Sequence, residues 1–409
     1  MDANHFARLA RIVAVPDSRR RLLRALAALP VAGGLLDILD PDDVTGNGRR
    51  KRRVKKHKHG KGRRRKKRKP KTCKAEPASQ TCAGKCGSVI NNCRKAVACG
   101  TCGCTGSDQC ASGQVCDGGT CAACNVTCAG TAAECGATLQ AAIEAASAGA
   151  RLRLCPGAYQ GGFTIGKALT LVGAGQGSDP QTSTILDGNT TQRVLLVQGG
   201  TSDVTLVHLR VARGEVGSGL GGGILHRGKT LVMQDCTVAA NRGRLGGGLL
   251  ADNGSPLQMT RCAVLDNVAP FDGTSTAGGG LVVSPGTTLT DCTITGNTAE
   301  QGHGGGILAI STVGEPVTLA GATVIQRNTA HWGGGIFSSS GSMLIGATCR
   351  ITGNQAAAGL GGGIYREGGT VTLQGPAPSP IVTANCHDNC AVQLGGPIPG
   401  CAAGGTCPP

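Results

Sequence analysis

Six Gly-Gly-Gly triplets, beginning at Gly221, Gly246, Gly278, Gly304, Gly333 and Gly361, recur along the chain at intervals of 25, 32, 26, 29 and 28 residues. Each runs into an aliphatic residue, in order Ile224, Leu249, Leu281, Ile307, Ile336 and Ile364. Further on comes a C-x-[VI]-x-x-N element, present as Cys236-Val238-Asn241, Cys262-Val264-Asn267, Cys292-Ile294-Asn297 and Cys349-Ile351-Asn354. Two coils place Thr323 and Pro380 where the Cys stood and keep Asn328 and Asn385. A fixed period of this length marks a stacked solenoid, in which each repeat buries its apolar face only against its neighbours. The element reads as a strand with Cys and aliphatic positions pointing inward at period two and the Asn at a turn, where stacked amides hydrogen-bond along the ladder. Glycine triplets suit a sharp corner that needs positive φ or close backbone approach. Cys236, Cys262, Cys292 and Cys349 are expected as buried thiols acting as small hydrophobes rather than metal ligands, because no His or carboxylate shares their face.

Upstream, Leu139, Ala142, Ile143 and Ala146 follow helical spacing from Thr138, and Gly149 supplies a stop. Residues 151–159 and 163–175 then read as alternating strands broken by Gly. The order T-L-Q-A-A-I-E-A-A, L-C-P-G-A-Y, I-G-K-A-L-T-L-V-G-A-G resembles the opening of right-handed parallel β-helix proteins of the pectin-lyase-like superfamily. That resemblance implies that the helix caps the first coil, and it fixes no reaction. The Gly-Gly-Gly-Ile and Val/Ile-x-x-Asn pairing also resembles the repeats of chlamydial polymorphic outer-membrane proteins, which are surface β-helices, although no β-barrel pattern follows here. The expected fold class is all-β, a right-handed parallel β-helix over 136–385 with a short N-terminal capping helix. It is preceded by a Cys-rich module over 73–135 and a disordered basic segment over 49–72, and followed by a Cys-containing tail over 386–409.

Thirteen of the 22 cysteines fall between Cys73 and Cys135, a density that belongs to a stapled mini-domain or a metal cluster. Cys99-x2-Cys102 and Cys121-x2-Cys124 are separated by 18 residues and fit a four-thiolate zinc template. Cys104, Cys110 and Cys116 inside that interval, with Cys82, Cys86 and Cys93 just before it, favour a disulfide framework. Thirteen is odd, and Cys155 completes an even set. Cys386/Cys390 and Cys401/Cys407 are expected to add two local bridges near the C-terminus. Pairing within the module stays open at this level.

The formal charge of +17 has one source: residues 49–71 hold 17 of the 41 Lys/Arg and no acid, which leaves 24 bases against 24 acids elsewhere. Such a run cannot bury a core and is expected to be an extended tether that binds polyanions through counterion release. It lacks the aromatic residues that stack on bases, so the expected partners are anionic envelope polymers, lipid headgroups or acidic polysaccharide rather than nucleic acid. Residues 18–24, Ser-Arg-Arg-Arg-Leu-Leu-Arg, resemble the bacterial twin-arginine export signal within a 1–48 leader, with Arg19 and Arg20 as the pair that is read. The alternative is an amphipathic basic helix carrying Phe6, Leu9, Ile12 and Val13. Signal and cysteine count together lead to the expectation of an exported, extracellular or cell-surface protein. No apolar run reaches the ~18 residues of a membrane span.

Parallel β-helix enzymes acting on acidic polysaccharides need carboxylates clustered on one outer face. Asp235, Arg261 and Asp291 precede the Cys column on neighbouring coils and are the catalytic candidates, with a surface salt-bridge ladder as the plainer reading. Gly302-His303-Gly304 matches a tripeptide of polygalacturonases, but their N-T-D, paired-Asp and R-I-K motifs are missing. No cofactor motif is read. Phe271, His303, His331 and Trp332 lie on the variable loops before the triplets and are the binding candidates for a sugar rim, or else loop packing. A second column, Leu225, Leu250, Val282, Leu308, Phe337 and Tyr365, follows the inward aliphatics and is expected to face outward as a partner surface. The expected role is structural, adhesive or glycan-binding; the alternatives are a polysaccharide lyase or hydrolase, and nucleic-acid binding through the basic segment.

Overall fold

The computed structural model describes residues 103–401, interrupted at 200–202, 253, 272–277, 311–313, 375–380, 386–387 and 394–396, together with 88–90, 93 and 95–98. All of these lie in one compact unit, Ala75–Pro409. The export signal, the basic segment, Cys99 and Cys102 lie outside the described residues.

From Ala150 onward the chain winds through three parallel sheets of nine strands each. Sheet I runs from Ala150–Arg153 to Thr370–Leu373, sheet II from Gly157–Gln160 to Ile381–Thr383, and sheet III from Phe163–Ile165 to Cys390–Val392. Each coil visits I, II and III in turn and returns one strand further along. The two sequence motifs therefore occupy different sheets: the C-x-[VI] element enters sheet II and the Gly-triplet aliphatic enters sheet III. Sheet III takes its last strand from the segment expected as a tail, with Cys390 opposite Ile364. Alternation within strands builds one core column per sheet, such as Met233, Met259 and Leu289 in I, Val238, Val264 and Ile294 in II, and Ile224, Leu249 and Leu281 in III. Full burial of each such side chain contributes roughly 1.5–3 kcal/mol.

Left-handed residues cut the sheet II strands to three residues. Asp235 (φ 50°) and Ala240 (φ 53°) bracket Thr237–Ala239, and Arg261 (φ 50°) and Asp266 (φ 52°) bracket Ala263–Leu265. The Asn that follows the second bend is buried, and the six Asn form one hydrogen-bonded ladder. Asn267 Nδ2 donates to Asn297 Oδ1 at 2.9 Å and to Val238 O at 3.0 Å, while the Asn267 N–H donates to the same Asn297 Oδ1 at 3.0 Å. The ladder starts where the Gly214 N–H donates to Asn241 Oδ1 and ends where Asn385 donates to Asn389 Oδ1. The Gly triplet is the other side of this corner. Its first residue has positive φ, 66° at Gly278, and a Cβ on its third, Gly280, would sit 2.6 Å from Gly306 O and 3.0 Å from Asn297 Cγ.

The N-terminal end is closed by a docked module. Strands β1 (Ser88–Ile90) and β2 (Ala96–Ala98) pair antiparallel, as do β3 (Gln114–Asp117) and β4 (Thr120–Ala123). Helix α1 (Ala132–Ala145) starts earlier than the apolar spacing alone predicts, because Thr131 and Glu134 form a capping box. It rests on sheet II at backbone contact: a Cβ on Gly136 would lie 1.8 Å from Gln160 O. Leu139 and Ile143 enter the core, and Lys167 Nζ donates to Glu144 O and Ala146 O at the helix end.

Five disulfides join described residues: Cys104–Cys116, Cys110–Cys121, Cys124–Cys155, Cys128–Cys135 and Cys390–Cys401. Cys155 thus completes the module as expected, by linking it to the first coil. Cys121 and Cys124 of the four-thiolate template hold different disulfide partners, Cys110 and Cys155. The local C-terminal bridges are corrected as well. Ile398 is buried in the core and turns the chain back, which brings Cys401 rather than Cys386 to Cys390. Cys386 and Cys407 lie outside the described residues.

The expected outward column is not a free surface. Leu225, Leu250, Val282, Leu308, Phe337 and Tyr365 stand outside the main core cluster, yet all are buried. The triplet corner folds over them, so that a Cβ on Gly278 would meet Val282 Cγ2 at 2.4 Å. A fourth, four-stranded parallel sheet, IV, comprises Val268–Ala269, Thr298–His303, Thr329–Trp332 and Gln355–Leu360, and carries rings onto Phe337 and Tyr365.

Candidate functional site

The bend between sheets I and II stacks His208, Asp235, Arg261 and Asp291 on consecutive coils, all with φ between 50° and 54°. Asp is among the few non-glycine residues that tolerate this conformation readily, which explains part of the column without any chemistry. Arg261 Nε and Nη2 donate to Asp235 Oδ1 and Oδ2, both at 2.8 Å. His208 Nδ1 lies 4.0 Å from Asp235 Oδ2. Asp291 turns to the following coil, where its Oδ1 accepts the Ala322 N–H at 2.8 Å. Gly321 (φ 60°) leaves room there, since a Cβ would sit 2.2 Å from Asp291 Oδ1.

Burial alone would raise the Asp235 carboxyl, but the hydrogen bonds and charge of Arg261 outweigh it and hold the group below the usual carboxylate range. Asp235 is therefore an anion and no proton donor near neutrality. The same contact raises the Arg261 guanidinium. Burial pushes His208 down, against the attraction of Asp235, which leaves a neutral imidazole beside an ion pair. Three of the four residues thus come together. His208 escapes a search keyed to the Cys column, because its own coil has Leu209 where that column has Cys; extending the repeat one coil back would have found it.

The aromatic candidates cluster on sheet IV. His303, Trp332 and Leu360 are in register on three consecutive coils. The His303 and Trp332 rings stack at 4.8 Å with 12° between planes, His303 contacts Phe337 at 4.6 Å, and Trp332 lies 6.2 Å from Tyr365. His331 tilts against Trp332 at 5.2 Å. The stacked His303 and Trp332 belong to consecutive coils, so each ring has one face engaged by the other, and sugar stacking would need a further free face. Phe271, 43 % exposed, stands apart from the ring ladder among the described residues, with its N–H donating to Glu300 Oε2 at 3.1 Å.

Residues 182–318, a third of the chain, match the family model described as right handed beta helix region. The solenoid is a right-handed parallel β-helix. This architecture fits the pectin-lyase-like superfamily. No curated protein and no solved structure matches the chain.

Inside the β-helix, Cys236, Cys262, Cys292 and Cys349 are buried free thiols. The Cys236 N–H donates to Cys262 Sγ at 3.4 Å, and the thiols of Cys236 and Cys262 donate to Leu206 O and Met233 O of sheet I, each at 3.4 Å. Thr323 replaces a thiol in kind: its hydroxyl accepts the Cys292 N–H at 3.2 Å and donates to Ala320 O at 2.6 Å. A hydrogen bond from the neighbouring thiol raises Cys262 and Cys292, and burial raises Cys349. Thiols held protonated and out of water are poor nucleophiles and poor ligands. One buried imidazole shares the interior. His226, in register between Val197 and Ala251, is fully buried, accepts the Gly228 N–H on Nδ1 at 3.3 Å, and is pushed down to about 4 by burial.

Proposed function

We propose that the protein works outside the cytoplasm as a structural or adhesive β-helix, with glycan binding as the finer form of that role, held to polyanionic envelope components by residues 49–71. The observation that carries the reading is how the described surface disposes of its charges and rings. Arg213 pairs with Asp187, Arg227 with Asp252, Lys229 with Asp203, and Arg242 with Glu215 and Glu300. With the aromatic ladder engaged in its own packing, the unbalanced charge of the chain is the 17 Lys/Arg of the basic segment. Five disulfides support an oxidising compartment, and Arg19-Arg20 supports export. The test is retention on isolated cell envelopes at rising salt. Deleting 49–71 is expected to abolish salt-sensitive retention, and retention unchanged by the deletion sinks the tether.

A second reading, cleavage of an acidic polysaccharide, is favoured by one observation: a neutral imidazole, His208, beside the Asp235–Arg261 pair. Here Arg261→Ala is expected to abolish product release from polyuronates. Full inactivity of the unaltered protein on a broad polyuronate panel removes the class.

A further inference from the structure

Two disulfides of the module meet at one point. The Sγ atoms of Cys104, Cys110 and Cys121 lie within 4.8 Å of one another, and Cys116 is bonded to Cys104. Four thiolates around a tetrahedral zinc at about 2.3 Å stand about 3.8 Å apart, a separation on the scale of this cluster, and Cys116 is one bond away from Cys104.

Hydrogen bonds act beside the two bridges in gathering these sulfurs. Cys116 and Cys121 are opposite one another in the β3–β4 hairpin, whose turn uses Gly118 (φ 61°) and Gly119 (φ 83°). The Cys104 N–H donates to Gly119 O at 2.9 Å, the Cys116 N–H to Ser107 Oγ at 2.9 Å, and the Cys110 N–H to Ser107 O at 3.0 Å. Gln109 and Thr105 exchange two further hydrogen bonds at 3.0 Å. Cys104 and Cys116 are buried while Cys110 and Cys121 are half-buried, which leaves one side of the group open to an incoming ion. Asp117, adjacent to Cys116, is ion-paired with Arg151 and Arg153, which ties the hairpin to the first strand of sheet I.

We propose that, when both bridges are open, Cys104, Cys110, Cys116 and Cys121 hold one zinc ion or another soft, tetrahedral divalent cation, and that oxidation exchanges the metal for the two disulfides. Binding releases four protons from four thiols and gives a tetrathiolate of charge −2. Oxidation by two equivalents of a small disulfide transfers four electrons to it, forms the Cys104–Cys116 and Cys110–Cys121 bonds, and frees the metal ion with four small thiolates. The site thereby keeps the hairpin folded on both sides of a change in redox environment. The proposal rests on the sulfur positions and is independent of where the protein resides.

The test uses the full chain, reduced with a phosphine, stripped of metal and titrated with Co2+ while thiolate-to-cobalt absorption is read, then competed with Zn2+. A variant with Cys104→Ser, Cys110→Ser, Cys116→Ser and Cys121→Ser is expected to lose one metal equivalent. A control with Cys124→Ser, Cys128→Ser, Cys135→Ser and Cys155→Ser is expected to keep that equivalent. Oxidised glutathione should then release it from the unaltered protein as peptide mapping shows the two bridges form. Equal binding by the unaltered protein and the first variant, equal loss in both variants, or metal retained after the bridges close overturns the proposal.

Discussion

The ends of the β-helix and its middle use cysteine in opposite ways. Cys124–Cys155 and Cys128–Cys135 staple the N-terminal cap and Cys390–Cys401 ties the last strand, whereas Cys236, Cys262, Cys292 and Cys349 between them stay reduced. At an end, a coil has a neighbour on one side only, and segments that do not repeat must be ordered against it; a covalent link offsets that entropy. In the middle every side chain has a counterpart above and below. There sulfur contributes volume and a weak hydrogen bond, and the Asn amides supply the directional contacts.

The sharpest way to break this division is to remove one rung in the middle. Asn297→Ala takes away the acceptor for both donors of Asn267 and the side-chain donor to the carbonyl of Val264, so a loss of about 4 kcal/mol is expected in denaturant unfolding. At the end, Cys124→Ser with Cys155→Ser opens a link across 31 residues and is expected to cost roughly 3–4 kcal/mol, with the cap becoming protease-sensitive before the coils do.

Acid reaches the middle selectively. The folded pKa of His226 lies at about 4 against 6.5 when exposed, so its contribution is fully present above pH 6.5 and is lost as pH falls toward 4, roughly 3 kcal/mol in all. His208, also lowered, adds in the same direction. His226→Leu should flatten the stability profile over that window, and an unchanged slope refutes the assignment. The smallest effect is expected from Cys262→Ala, roughly 1 kcal/mol, because it removes a single buried atom from a thiol that forms no covalent bond. A loss as large as that of the Cys124/Cys155 pair would erase the contrast between ends and middle.

The repeat was legible in the sequence because the Gly and Asn columns are written six times and the Cys column four, and a Gly or Asn needed at one corner is needed at every corner. Burial of Cys236 and of Asn297 followed from that redundancy. The cap helix was half legible: the Thr131-x-x-Glu134 capping box marks its start, and the apolar spacing alone does not reach it. The candidate site was legible as a list and not as an arrangement. Asp235 and Arg261 meet because both occupy a left-handed bend one coil apart, and His208 joins from a coil without the Cys.

By itself, then, the sequence determined a stacked solenoid with a buried thiol column and an Asn ladder, a neutral body, and one basic segment holding the net charge. Only the tertiary structure decided that every coil runs through three sheets and four coils add a strand to a fourth, which cysteines pair, and that the second aliphatic column is covered rather than presented. The physical reason is that stacking repeats a local rule at each coil and so leaves a periodic trace. Disulfide partners and the covering of an outer face depend on loops of unequal length, whose positions exist only once the coils are built.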